Sequence, residues 1–357
     1  MVWEGCYVVV AVATTAPVGN ADPGFRRQKR SLMKAARLAD PSRSSELDLE
    51  DVDLPLVGRG EILVRVAAAG VTPSELLWYP TTHTKEGERR IGVVPGHEFS
   101  GIVEAIGAGV HGFFPGDKVF GMNDWFSQGA SAEYCIASPL TLAPKPRTLS
   151  YAEAAAVPIG ALTAWQALFD RADLQAGERV LVHGGAGAVG TFVIQLAKLH
   201  GAEVIATASA ANMDFLTSLK ADEVINYRAT RFEDQIEPVD VLFDAIGGET
   251  LQRSWPLLRA GGRAITVAAQ SEGVEDARIK AAFFIVDASR EQLLDIGLLI
   301  DGGSLRPFVG AAVPLSAAAD AYGGRIARKD GRGKVVLLMP DFEEKDVGTR
   351  NSSSRRV

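Results

Sequence analysis

The chain has 357 residues, 47% of them hydrophobic and 23% charged, with a mean hydropathy of +0.08. That is material for a large core, more naturally two domains than one, and it excludes a mostly disordered chain. A net charge of −7 and a sequence pI near 5.4 give no general attraction to nucleic acid, and the two cysteines, Cys6 and Cys135, cannot build a disulfide framework or a cysteine-rich metal site.

In chain order, the first feature is CYVVVAVATTA, from Cys6 to Ala16. It is apolar like the centre of a secretion signal, but Glu4 precedes it, and the cations Arg26, Arg27, Lys29 and Arg30 follow it. Residues 1–32 are therefore read as a disordered extension, with a targeting segment as the alternative. No stretch reaches the roughly 18–20 apolar residues of a membrane span, so no membrane association is expected, and the expected compartment is the cytoplasm. Met33 opens what reads as a domain. GEILVRVAAAG (60–70) alternates in part between glycines and predicts a strand. The glycine-dense section from Gly96 to Gly121 predicts a compact, highly turned β region, and SAEYCIA (131–137) a further strand.

From about residue 178 the texture changes to alternating strands and helices. RVLVH (179–183), EVIATAS (203–209), DEVINY (222–227), DVLFDAI (240–246) and RAITVAA (263–269) read as strands, and AVGTFVIQLAKLH (188–200) as a helix. Such alternation builds a parallel sheet covered by helices, an α/β fold. RPFVGAAVPL and GKVVLLM (333–339) return to strand-like runs and are expected to rejoin the first domain, and residues 341–357 are read as a flexible tail.

HGGAGAVG, from His183 to Gly190, carries the strongest local signal: G-x-G-x-x-G as Gly185, Gly187 and Gly190. A strand runs into it and a helix leaves it, with Val189, Phe192, Val193, Leu196 and Leu199 at helical spacing. Glycines there permit the tight turn and close approach of a pyrophosphate to Gly185, Gly187, Ala188, Val189 and Gly190, and the helix N-terminus offers unpaired N–H groups. NAD-binding sheets place an acid about 20 residues after the first glycine. Here no acid occurs until Asp214. Ser209 tolerates a 2′-phosphate that a carboxylate would repel, and Tyr227 and Arg228 follow at the next strand's end. NADPH is therefore expected over NADH, although positions 210–213 hold no basic residue. His183 is read as a packed side chain.

On these segments, together with PGHEFSGIVEAIGAGV, PGDKVFG, AAAVPIGALTAWQAL, DAIGGETL, LLRAGGR and GKVVL, the chain resembles the medium-chain dehydrogenase/reductase superfamily in its zinc-independent, quinone oxidoreductase-like branch. The resemblance implies a doubly wound Rossmann domain (156–299) inserted in a β-rich, GroES-like catalytic domain (33–155 and 300–340), a cofactor in the cleft between them, and a homodimer. Where zinc members carry a cysteine ligand, Gly70-Val71-Thr72-Pro73-Ser74-Glu75 puts Thr72. His97 is present, but VPIGA (157–161) offers no third ligand, and no metal is expected. Zinc on His97, Glu98 and Glu75 is the alternative.

The resemblance further assigns Thr163 to the nicotinamide side of the cleft, Thr72 and Glu75 to the substrate side, and Phe284, beside Phe283, and Lys334 to the cofactor. Tyr79 is either a proton donor or a packed loop aromatic. The implied activity is NADPH-dependent hydride transfer, without a metal, to a small electrophilic acceptor: a quinone or an α,β-unsaturated carbonyl compound. A zinc-dependent alcohol dehydrogenase and a catalytically silent NADPH-binding protein of the same fold are the alternatives.

Overall fold

The computed structural model describes residues 31–39, 47–340 and 342. The extension read at 1–32 lies outside these residues except for Ser31 and Leu32, and the tail read at 341–357 except for Phe342, whose ring meets Tyr151 edge-on at 5.1 Å. Two antiparallel strands, β1 (Leu32–Leu38) and β2 (Leu47–Asp53), come first. The sequence reading did not anticipate either. β2, LDLEDVD, is exposed along most of its length, so no apolar alternation marks it.

β3 (Ile62–Val71) is buried at every position but Arg65, because sheet neighbours and packed layers cover both its faces. It pairs antiparallel with β4 (Glu98–Ile106), and β5 (Lys118–Met122), β6 (Tyr134–Ala137) and β7 (Leu142–Pro144) complete this part of the sheet. Glycines and Pro-Gly turns between short apolar runs produce the tight returns that the sequence leads one to expect.

The second sheet is parallel, in the order β10 (Glu223–Asn226), β9 (Glu203–Ala208), β8 (Arg179–His183), β11 (Val239–Asp244), β12 (Leu258–Thr266). Successive side chains point to opposite faces, and both faces are buried. Along β8, Val180 and Val182 join the core beneath the helix Gly190–Leu199, whereas Leu181 joins a separate cluster with Ile205, Leu242 and Leu251. Phe192, Val193 and Leu196 supply that helix's buried stripe; Leu199, expected in it, is half exposed. β12 begins five residues ahead of RAITVAA and ends at Thr266, because Ala269–Ser271 turns tightly away.

The chain then returns to the first sheet. β13 (Val309–Pro314) and β14 (Lys334–Leu338) pair in parallel, and β14 lies antiparallel to β3, giving seven strands in all. The β-rich GroES-like domain is thus completed from both ends of the described chain around the Rossmann sheet. The helix Pro158–Trp165 packs against the helix Gly190–Leu199 and against β5, so it joins the two halves at the site described next.

Candidate active site

β8 delivers the chain into a turn in which Gly184 takes φ +79° and the N–H of Gly187 donates to the carbonyl of Gly184 at 2.9 Å. Val189 precedes the helix and caps it with no side chain, and the N–H groups of Ala188, Val189 and Gly190 find no acceptor among the described residues. Unsatisfied donors at the positive end of a ten-residue helix form a pre-built anion cradle. A cleft of about 550 Å³ opens over it, lined by Gly184 through Gly190, Ser209, Tyr227, Ala245 and Ile246. The loop carrying Ala245 and Ile246 is held by buried Asp244, whose carboxylate accepts from Gly247 N–H at 2.9 Å and Thr266 Oγ1 at 2.8 Å.

At the far end of the cleft the structure brings in residues that the sequence reading missed. Arg328 and Gly331, from the segment before β14, line it together with Ser209, Asn212 and Tyr227. Arg332 anchors this segment by donating to Asn212 Oδ1 and to the carbonyl of Ala211, both at 2.7 Å. The cation absent from positions 210–213 thus comes from the other domain. Arg253 also lines the cleft, but its guanidinium is spent on Glu233 at 2.5 Å, and that pairing drives the Glu233 carboxyl down to about 2. The residues present fit a dinucleotide: a cradle closed to side chains for the pyrophosphate, and hydroxyl, ring and guanidinium groups without a carboxylate at the ribose end.

Val189 and Ala245 also line a second, mostly apolar cavity of about 220 Å³, so the two spaces adjoin. Its walls include Trp78, Trp125, Thr163, Phe283 and Phe284, and Thr72 contributes a hydroxyl. Thr163 Oγ1 donates to the carbonyl of Ile159 at 2.6 Å, so its hydroxyl serves its own helix and its methyl shapes the wall. A larger groove of about 840 Å³ runs along edge strand β12 past Arg263, Arg278 and Gln292, and it holds no residue of the glycine turn.

Behind the smaller cavity lies a buried polar cluster. Lys334 Nζ donates to Thr72 Oγ1 at 2.9 Å and forms an ion pair with Glu98 Oε1, while Glu98 Oε2 accepts the N–H of Ile159 at 2.9 Å. Burial pushes the Glu98 carboxyl up, and the Lys334 ammonium and that N–H partly offset the push. Gly70 is required beside it: a Cβ there would stand 2.5 Å from Glu98 Oε1. Lys334, expected on the cofactor, is instead committed to this cluster.

Two residues expected at the substrate do not reach it. The tight turn Pro73–Leu77 directs Glu75 inward, where it is fully buried; its Oε1 accepts from the N–H of Gly96 and from Tyr322 OH at 3.1 Å. Tyr79 is half exposed, stacks on His83 with ring centroids 4.6 Å apart, and is not among the residues lining the cavity. His97 lies 3.5 Å from Glu75 Oε2, and its buried Nε2 has no partner.

This donor set does not fit zinc. A lysine ammonium sits between Thr72 and Glu98 and would oppose a second cation there, Glu75 is consumed by Gly96 and Tyr322, and no group of three or more His, Cys, Asp or Glu among the described residues could hold a metal. We therefore derive no step through one.

His183, at the mouth of the glycine turn, is fully buried. Ser254 gives its own hydrogen to the carbonyl of Thr250, so it accepts from His183 Nε2 at 2.8 Å, and Thr207 donates to Nδ1 at 2.9 Å. Burial lowers this imidazole to about 4 from the usual 6.5. The folded protein therefore holds fewer protons than the unfolded chain between those values, so stability from this group is complete above about pH 6.5 and falls on acidification to pH 4. The expected loss is about 3 kcal/mol across that range. Urea unfolding of wild type and His183→Asn at a series of pH values checks it; equal acid slopes would assign the loss elsewhere.

The comparisons with known proteins agree with this site. Residues 58–165 match the alcohol dehydrogenase GroES-like domain, and residues 219–337 match the zinc-binding dehydrogenase family. The chain is 32% identical over 319 residues to a probable mitochondrial zinc-binding oxidoreductase of Arthroderma benhamiae, covering 84% of this chain and 94% of that one. It is 32% identical over 329 residues to the quinone oxidoreductase of Rattus norvegicus, covering 87% and 99%. The structure of the quinone oxidoreductase from Coxiella burnetii superposes with a TM-score of 0.76 at 31% identity, covering 86% of this chain and 99% of that one. The class defined by fold and site is the medium-chain dehydrogenase/reductase superfamily. Within it, the chain belongs to the quinone oxidoreductase-like branch that lacks a catalytic zinc, and it is an oxidoreductase of that branch.

Proposed function

We propose that the protein is an NADPH-dependent reductase of quinones or α,β-unsaturated carbonyl compounds that works without a metal. The observation carrying this reading is the continuity between the uncapped glycine turn and the apolar cavity, which share Val189 and Ala245. NADPH, when bound, supplies a hydride. The N–H groups of Ala188, Val189 and Gly190 hold the pyrophosphate, and Thr163 and Phe284 bound the space between the two compartments. Trp78, Trp125 and Phe283 exclude water and suit a flat conjugated acceptor. No Lewis acid is needed where the acceptor is already electrophilic.

The test is oxidation of NADPH, and in parallel NADH, by the purified protein with a panel of quinones and enones. Turnover with at least one acceptor, faster with NADPH and insensitive to chelation, is expected. Tight NADPH binding without turnover on any acceptor would favour the silent protein, and stoichiometric zinc whose removal abolishes turnover would overturn the metal-free reading.

The preference for the 2′-phosphate should reside at Ser209, Tyr227 and Arg328. Ser209→Asp is expected to lower the NADPH-to-NADH efficiency ratio about tenfold or more, because a like charge at a partly exposed site costs at least ~1 kcal/mol. Arg328→Ala should weaken NADPH binding by a similar factor while leaving NADH binding as it was. Fluorescence titration with each cofactor reads both, and an unmoved ratio in the two variants would place the phosphate elsewhere.

A further inference from the structure

Resting on the proposed reductase reading, we infer that Thr72 is the proton donor of the reaction and that Lys334, acting through Thr72 and held by Glu98, is its positioning residue. Thr72 lines the acceptor cavity, and the ammonium of Lys334 donates to its Oγ1 at 2.9 Å. A hydroxyl oxygen that accepts from a cation keeps its own hydrogen for another partner, and none of the described residues takes it. The polarised O–H is left for the cavity.

The wiring behind Thr72 is closed to water. Lys334 is 6% exposed and Glu98 fully buried. Glu98 is fixed from its other side by the N–H of Ile159, which also lines the cavity, so the pair is anchored at two points of the cavity wall. Other candidates stand further off. Tyr79 does not line the cavity, and neither does His97, which packs at 5.0 Å against Trp125.

In the reaction, the acceptor takes up two electrons and one hydrogen nucleus as hydride, and its carbonyl oxygen becomes negative. That oxygen forms an O–H bond with the Thr72 hydrogen as the Thr72 O–H bond breaks. Thr72 is restored by a proton from the Lys334 ammonium. Lys334 becomes a neutral amine and recovers its proton from water that enters when product leaves. Charge is conserved: the negative oxygen is neutralised as the ammonium loses its charge, and Glu98 is unchanged.

The experiment uses the whole protein with NADP⁺ and p-nitrophenolate, a stable oxyanion followed by its absorbance, besides steady-state kinetics on an acceptor that wild type reduces. Thr72→Val should bind the phenolate about tenfold or more weakly, as expected for a lost hydrogen bond to a charged group. Its kcat should fall about 100-fold or more, with KM and NADPH affinity nearly unchanged. Thr72→Ser should restore most of both properties.

Wild-type kcat should decline at alkaline pH as Lys334 deprotonates. That limb should vanish in Thr72→Val and in the double variant Lys334→Met, Glu98→Gln, which leaves no buried charge unpaired. Wild-type phenolate affinity and an intact alkaline limb in Thr72→Val would overturn the inference. Failure of wild type on every acceptor would instead sink the reductase reading, and the phenolate comparison would still decide whether Thr72 is an oxyanion donor.

Discussion

Replacing Gly190 by alanine should destabilise the protein and abolish dinucleotide binding. A Cβ at this position would overlap the carbonyl oxygen of Gly184 and approach Gly185 Cα to 2.7 Å. Both are backbone atoms of the turn, so relief requires moving the turn off the end of β8, with a cost of about 3 kcal/mol, at the upper end of core overpacking. The same movement takes the N–H groups of Ala188 and Val189 out of register with a pyrophosphate. Gly187 is a useful contrast. Its Cβ would meet only the Gly184 oxygen, at 3.2 Å, which the turn can absorb. Gly187→Val should therefore fold yet lose several kcal/mol of NADPH affinity, through a clash with the ligand and lost N–H contacts. Thermal unfolding and NADPH fluorescence titration separate the two effects. A Gly190→Ala protein that melts like wild type, or a Gly187→Val protein with unchanged affinity, would remove the turn from its assigned role.

The second large effect is expected at Lys334. Lys334→Met leaves the Glu98 carboxyl buried with no opposite charge, a loss of about 3–5 kcal/mol for breaking one side of a buried pair. The sign of its pH dependence follows from linkage. Burial already holds this carboxyl above its usual range, and removing the ammonium raises it further. The folded variant then retains a proton that the unfolded chain releases. Its stability should be complete below the unfolded value near pH 4.3 and fall as pH rises through neutrality, opposite in direction to the His183 contribution. Urea unfolding at pH 5 and pH 8 should show the variant weaker at pH 8, and adding Glu98→Gln should recover most of the loss at both. A pH-independent deficit that survives in the double variant would mean that Lys334 acts through packing of its alkyl chain alone.

What the amino-acid sequence determined by itself is local. Strand β8, the glycine turn and the helix Gly190–Leu199 are consecutive, and each is written in short-range terms: an apolar run, glycines where Cβ atoms cannot fit, and a 3.6-residue apolar period. The parallel strands were legible for the same reason, since burial on both faces demands unbroken apolar runs. β1 and β2 were not, because a strand that stays mostly exposed needs no such signature.

The chemistry of the acceptor side was decided only by tertiary structure. Thr72 and Lys334 lie 262 residues apart and meet because β14 pairs with β3. Arg332 reaches Asn212 across 120 residues and brings Arg328 to a ribose site whose own loop has no cation. Glu75 carries a carboxylate in the segment next to the cavity, yet one tight turn sends it into the interior, to Gly96 and Tyr322. Residue type and spacing state which groups are available; which of them spend their hydrogen bonds on the fold, and which keep one for a substrate, depends on partners that only the packed chain supplies.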